Sequence, residues 1–214
     1  MTIVSVILAR GGSKGIPNKN IIDINGKPMI FYVIDASLKS HIHETWVSTD
    51  SIDIKKISLE YGAKVLDRPA NISKDFSKSE DALIHFADNV DFDIVVFIQP
   101  TSPLLLYSDI NKGIDLLLNH SNSYDSIFSA YEDHWIPRWN KNIKPKNWDI
   151  QNRPMRQEVD CEYVENGAFY ITKKNNLQKT KLRYSGNIGI SIMPQLRSFQ
   201  VDSMDDLQLI RKLL

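Results

Sequence analysis

Three glycines and three basic residues crowd into the stretch Ala9-Arg10-Gly11-Gly12-Ser13-Lys14-Gly15-Ile16-Pro17-Asn18-Lys19-Asn20. Glycines let the backbone approach a ligand closely and turn its N–H groups inward. Arg10, Lys14 and Lys19 bring positive charge to the same loop. The combination suits an anion as highly charged as a triphosphate, held by Arg10, Lys14 and Lys19 and by loop N–H groups such as those of Gly11 and Ser13. The stretch is neither G-x-x-x-x-G-K-[ST] nor G-x-G-x-x-G. The alternative is a merely solvated basic loop. Its place directly after the apolar run Ile3–Leu8 favours a ligand.

Three other residues have the right chemistry in the right setting. Arg68 precedes Pro69, which biases its backbone to an extended, loop-like form. Its fork of N–H donors suits a base carbonyl or a phosphate, and a surface ion pair is the alternative. Gln99 follows the apolar run Ile94–Ile98, where its amide can both donate and accept; it can equally tie down its own loop. Asp202 offers a hard oxygen ligand for Mg²⁺ just before a last helix, whose cap Ser203 already fills. The five histidines lack the companion ligands of a zinc site. The lone Cys161 reads as a half-buried structural thiol and excludes an intramolecular disulfide, which fits a reducing cytoplasm.

Something must hold these residues in place. Ile3–Leu8 and Ile94–Ile98 read as buried strands, and Thr45–Thr49, Lys64–Leu66 and Ser126–Ala130 as further ones. Between them, Met29–Lys39, Ile52–Tyr61 and Ser79–Val90 carry helical apolar stripes, and Ser108 can cap a helix through Leu118. Strand and helix alternate, the signature of an α/β fold: a Rossmann-like, mostly parallel sheet with helices on both faces. Ligands in such sheets sit beyond the carboxyl ends of the strands, so the loops after Leu8 and Ile98 are where chemistry is expected.

The alternation breaks from Tyr131 to about Glu162, which holds Trp135, Trp139 and Trp148 among Pro137, Pro145 and Pro154. Such residues suit an arm packed on a second subunit, or else an ordered loop on the chain's own core. Regular structure is expected again at Ala168–Ile171, Gly189–Ile192 and a helix over Asp205–Leu213. The 214 residues are read as a single domain carrying this arm. Lys+Arg and Asp+Glu are both 26, so no global field recruits nucleic acid or membrane. The apolar start is shorter than a signal peptide's core or a ~20-residue membrane span.

The motif ARGGSKGIPNKNI resembles the signature of the CMP-sugar-acid synthetases, the N-acylneuraminate cytidylyltransferases and their legionaminate and pseudaminate relatives. Asp67-Arg68-Pro69, Ser73 to Ser79, Gln99-Pro100-Thr101-Ser102-Pro103-Leu104, Arg156-Gln157-Glu158, Glu165 to Tyr170 and Val201-Asp202 match in the same order. The resemblance implies a fold of the nucleotide-diphospho-sugar transferase type with a protruding dimerisation arm. It implies transfer of CMP from CTP to the anomeric hydroxyl of a nonulosonic (sialic-type) acid, with Mg²⁺, in a cytoplasmic homodimer. Arg10 and Lys14 would handle the triphosphate, with Asn20 on the nucleotide. Arg68, Ser77 and Ser79 would line the cytidine pocket. Gln99, Ser102, Gln157 and Asn166 would serve the sugar, Arg156 catalysis and Asp202 the metal.

Two positions depart from some bacterial relatives: Gln200 stands where they have an aspartate, and Val164 where they have an arginine. The rival readings are a cytidylyltransferase for an eight-carbon 3-deoxy sugar acid and an inactive nucleotide-binding regulator. A glycosyltransferase would want a D-x-D metal motif after a strand, but Asp91-Phe92-Asp93 precedes one.

Overall fold

The structure is a computed structural model and describes residues 1–13, 15–119 and 121–214. The apolar, β-branched run Ile3–Leu8 forms β1, buried but for its last residue. A small hairpin of β2 (Asp23–Ile24) and β3 (Lys27–Pro28) leads into α1 (Met29–Leu38). There follow β4 (Glu44–Thr49), α2 (Ile52–Glu60), β5 (Lys64–Asp67), α3 (Ser79–Asn89) and β6 (Ile94–Ile98). The second half holds α4 (Tyr107–Leu118), β7 (Ser126–Asp133), β8 (Glu162–Lys173), α5 (Lys174–Thr180), β9 (Ile188–Ile192) and α6 (Met204–Leu213).

Seven strands form one sheet in the order β5-β4-β1-β6-β8-β7-β9. Every pairing in it is parallel except the two made by β8, which runs against β6 and β7. This is the expected α/β architecture. One face is covered by α1, α2 and α4, through Ile30, Ile34, Ile54, Ile110 and Ile114. The other is covered by α3 and α5, through Leu83, Phe86 and Leu177. Because β8 is reversed, its first half lies at the sheet edge where β1, β4, β6 and β7 end. The backbone N–H of Gln99 donates to the Ala168 carbonyl there, at 3.0 Å.

β8 reaches that edge through a bulge. Phe128 pairs with Tyr170 and Ala130 with Glu165, so β8 spends five residues where β7 spends two. The extra residues turn at Gly167, whose φ is +69°. A Cβ there would stand 2.5 Å from Gln200 Nε2, so both conformation and space require glycine. Bulges of this kind re-aim side chains next to functional sites.

Three expectations change, and one helix goes beyond them. The strand after Ser126 continues to Asp133, and its partner begins at Glu162, with Tyr131 paired to Val164 and Asp133 to Glu162. The proposed arm therefore has a two-stranded stem, and no strand runs through 134–161; the stem exposes Glu132, Glu162 and Tyr163 and shows no apolar run. The helix expected to be capped by Ser108 is capped at Leu106, two residues earlier, and Asp109 accepts the Leu106 N–H at 3.2 Å. The polar helix α5 carries one buried residue, Leu177, and no apolar stripe to betray it. Cys161 is exposed rather than half-buried, and a hydrogen bond to Glu132 holds its thiol above the usual range.

Candidate active site

β1 delivers the glycine loop to the sheet edge. Gly11 donates its N–H to Asp50 Oδ1 at 2.8 Å, from the end of β4, and Gly12 turns with φ +66°. Asn20 is buried, and its Nδ2 donates to the Arg10 carbonyl at 3.0 Å. Its side chain thus braces the loop from within rather than facing a ligand. Arg10 Nη1 pairs with Asp75 Oδ1 at 2.8 Å, and Lys19 Nζ with Asp202 Oδ1 at 3.0 Å. Arg10, Gly11 and Gly12 line a cleft of about 570 Å³ with Asp50, Ser73 and Asp75. Lys14, expected in this cradle, lies outside the described residues; Ser13 follows Gly12 and is half-buried.

Arg68 sits beneath this cleft, only 8% exposed. Its Nε and Nη2 donate to the hydroxyl and carbonyl of Ser48 at 3.1 and 2.6 Å. Burial lowers its pKa to about 10, although the nearby Asp50 opposes the shift. The surface ion pair is therefore ruled out: this is a buried cation. Ser77 accepts the Lys74 N–H at 3.1 Å, and Ser79 opens α3. The described geometry does not bring Ser77 and Ser79 to the cleft lining; Ser73 and Asp75, from the same segment, reach it instead.

A second cleft of about 510 Å³ includes Tyr131, Glu165, Gly167, Tyr170, Gln200 and Asp202 in its lining. The Lys19–Asp202 pair ties the glycine loop to it. Asp202 is well suited to a hard cation. Its carboxylate is 73% exposed, while the helix cap is made by Ser203 and Asp206, which exchange bonds of 2.7 and 3.2 Å. Mg²⁺ is commonly held by one or two carboxylates plus substrate phosphates, and this donor set fits that pattern. Asn166 lines the same cleft, but its amide is used by the protein: Oδ1 accepts from Ser129 Oγ at 2.6 Å, and Nδ2 donates to Ser198 Oγ at 2.8 Å. Gln99 lies behind Gly167. Ser102 Oγ is buried without a partner among the described residues. Arg156 and Gln157 stand on an exposed 3₁₀ turn of the arm and line neither cleft.

A larger cleft, about 1200 Å³, lies at the opposite end of the sheet, between Met1, Asp93 and Lys174. Its charged groups are paired with one another, Lys173 with Asp125 and Lys174 with Asp91. It lies away from the strands' carboxyl ends, where ligands of such sheets bind.

The family model described as cytidylyltransferase matches residues 4–213. The chain belongs to the cytidylyltransferase family. N-acylneuraminate cytidylyltransferase A of Danio rerio is 38% identical over 190 residues, which is 85% of this chain and 44% of that protein. Pseudaminic acid cytidylyltransferase of Campylobacter jejuni is 30% identical over 220 residues, 97% of this chain and 94% of that one. The chain spans about half the length of the N-acylneuraminate relatives it matches. The structure of CMP:2-keto-3-deoxy-manno-octonic acid synthetase complexed with CTP superposes with a TM-score of 0.73 over 100% of this chain and 98% of that one. At 20% identity it shows the fold alone.

Gln200 joins three loops of this chain. Gln200 Oε1 accepts from Thr101 Oγ1 at 2.9 Å, and its Nε2 donates to the Asn166 carbonyl. An aspartate would offer no donor to that carbonyl, so the change to glutamine has a structural reason. Asp50, which holds the Gly11 N–H, carries no sequence signal; Asp75 lies in the matched Ser73 to Ser79 segment, but nothing there marks it as the partner of Arg10. Replacing Gln200 by Glu keeps size and removes the donor. Leaving a buried acceptor unmade costs about 1–3 kcal/mol. Urea unfolding of Gln200→Glu is expected to show a loss of that order, and a stability equal to wild type would show that the contact is not structural.

Proposed function

We propose that this cytidylyltransferase transfers CMP from CTP to the anomeric hydroxyl of a nonulosonic, sialic-type acid and releases pyrophosphate. The observation that carries this reading is the pair of clefts joined by Lys19 and Asp202: one is walled by the basic glycine loop, the other by the ENGAFY segment. The names of relatives at 30–39% identity support a nine-carbon acid over the eight-carbon one. The anomeric hydroxyl gives up its proton to solvent as its oxygen attacks the α-phosphorus in line; the new O–P bond forms as the P–O bond to pyrophosphate breaks, and the charge leaves with pyrophosphate.

The protein's work is positioning and charge neutralisation. Arg10, Lys14 and Lys19 neutralise the triphosphate, while the N–H groups of Gly11 and Ser13 orient it. For this, the Gly11 N–H must leave Asp50, and two ion pairs must open: Arg10 exchanges Asp75, and Lys19 exchanges Asp202, for phosphate oxygens. Both pairs are partly solvated, and such pairs are worth only about 0–1 kcal/mol, so the exchange is cheap. Arg68, with Ser77 and Ser79 on the following segment, supports the cytidine side. Asp202 would hold Mg²⁺, which supplies charge neutralisation at the phosphates when bound. Gln99, Ser102 and Asn166 shape the acceptor side, Asn166 by holding the bulge rather than by donating to the sugar.

The arm supplies Arg156 and Gln157 to a second copy in a C₂ homodimer. In support, the arm of a single chain leaves Ile136, Ile143, Ile150 and Met155 exposed. Such a surface needs cover. The exposed thiol of Cys161 suits the reducing cytoplasm.

Pyrophosphate release tests the reaction. With CTP, the enzyme is expected to turn over at least one member of a panel of neuraminic, legionaminic and pseudaminic acids in preference to an eight-carbon 3-deoxy acid and to UTP. Preference for the eight-carbon acid would overturn the substrate class. A second experiment tests the arm. Arg156→Ala and Asp202→Asn should each be nearly inactive, by ~10²-fold or more. Co-expressed, they should recover about a quarter of wild-type sites, because the mixed dimer rebuilds one intact site. Absence of any recovery in the isolated mixed dimer would place Arg156 in its own subunit's site.

A further inference from the structure

One network in the second cleft has no place in the mechanism above. Glu165, the residue just before the bulge, is exposed in the cleft while both its oxygens are already engaged. Tyr170 donates to Oε1 at 2.5 Å and Tyr184 to Oε2 at 3.1 Å. The two phenols are themselves fixed. Tyr170 is 3% exposed and stacks between Phe97 and Tyr184, with ring centroids 5.5 and 5.7 Å away. The Arg183 guanidinium lies over the Tyr170 ring at 5.1 Å and is anchored by Glu80, in the first turn of α3, at 2.6 Å. Burial, reinforced by Glu165, pushes the Tyr170 phenol well above its ordinary pKa, so it remains a donor at any working pH.

The consequence is a carboxylate oriented before any ligand arrives. A carboxylate offers about four acceptor sites, and the tyrosines use two. Glu165 is exposed in the cleft, so the remaining two are open to a ligand there. The other ionisable side chains in the lining are Asp202, Asp206 and the phenols of Tyr131 and Tyr170; no lysine or arginine lines it among the described residues. A sugar acid carries many O–H and N–H donors and a single carboxylate. Against this wall its donors are attracted, and its carboxylate is repelled toward the cations of the glycine loop or the arm.

We propose that Glu165 is a specificity-determining residue for the acceptor: it accepts a hydrogen bond from a hydroxyl or amide N–H of the sugar acid and sets which end of that molecule faces the nucleotide. This rests on the functional reading above. Arg183 and Tyr184 act as positioning residues through it.

The test uses the acid that wild-type enzyme turns over fastest, whether nine- or eight-carbon. Glu165→Gln keeps the shape, removes the charge and weakens the hydrogen bonds. It is expected to raise KM for the acid about tenfold, with the Kd for CTP and the melting temperature unchanged. Tyr184→Phe, which frees one oxygen without altering charge, should raise the same KM by a smaller factor. An unchanged KM in Glu165→Gln overturns the assignment. So does a KM rise matched by an equal loss of CTP affinity. If Glu165→Gln does not fold, Tyr184→Phe decides: a selective rise in KM for the acid supports the role, and no rise refutes it. A wild type that turns over none of the acids overturns the functional reading, and this assignment with it. A wild type that turns one over beside an unaltered Glu165→Gln overturns only the assignment.

Discussion

At Gln200 three loops are fastened together. Its side chain accepts the Thr101 hydroxyl and donates to the Asn166 carbonyl, while the next residue, Val201, donates its N–H to the Thr101 carbonyl at 2.9 Å. The loop after β6, the bulge of β8 and the approach to α6 therefore move as a unit. The contact is available because β8 is reversed within a parallel sheet and brings its bulge to the edge where the other strands end. A parallel β8 would carry Glu165 and Asn166 to the far end of the sheet.

The charge pattern of the site follows a similar economy. The net charge of zero forces any anion site to be local, and within it three donors of the glycine loop are met by acids: Gly11 by Asp50, Arg10 by Asp75, Lys19 by Asp202. These acids hold the loop's groups in place in the absence of ligand. Arg68 differs from the loop cations, because it is buried and satisfied by Ser48. Its cost of burial is met permanently by the protein, while that of the loop is met by exchangeable partners.

Much of the fold was legible in the sequence because buried strands and amphipathic helices leave strong periodic signals. Ile3–Leu8 and Ile94–Ile98 form strands at the boundaries expected, and Ser203 with Asp206 makes the expected cap. Legibility failed where packing is one-sided or long-range. The first half of β8 is exposed and carries a bulge, so no alternation marks it. The site divided in the same way. Glycine-loop chemistry is local, and the loop's position after β1 made it readable. The inward turn of Asn20 and Asn166 was not, since an amide that braces a loop and one that binds a ligand look identical in sequence. Asp50 and Asp75 meet the glycine loop, and Tyr184 meets Glu165 and Tyr170, only once segments separate in sequence fold against each other.

The central claim is that chemistry takes place at the carboxyl ends of the parallel strands, on the glycine loop, although a larger cleft opens at the other end of the sheet. Titration of ¹⁵N-labelled protein with CTP, followed by backbone amide shifts, tests this directly. The largest changes are predicted at Gly11, Gly12, Ser13 and Lys19, with Phe92, Asp93 and Lys174 unmoved. Changes concentrated around Phe92, Asp93 and Lys174, with the glycine loop silent, would contradict the account.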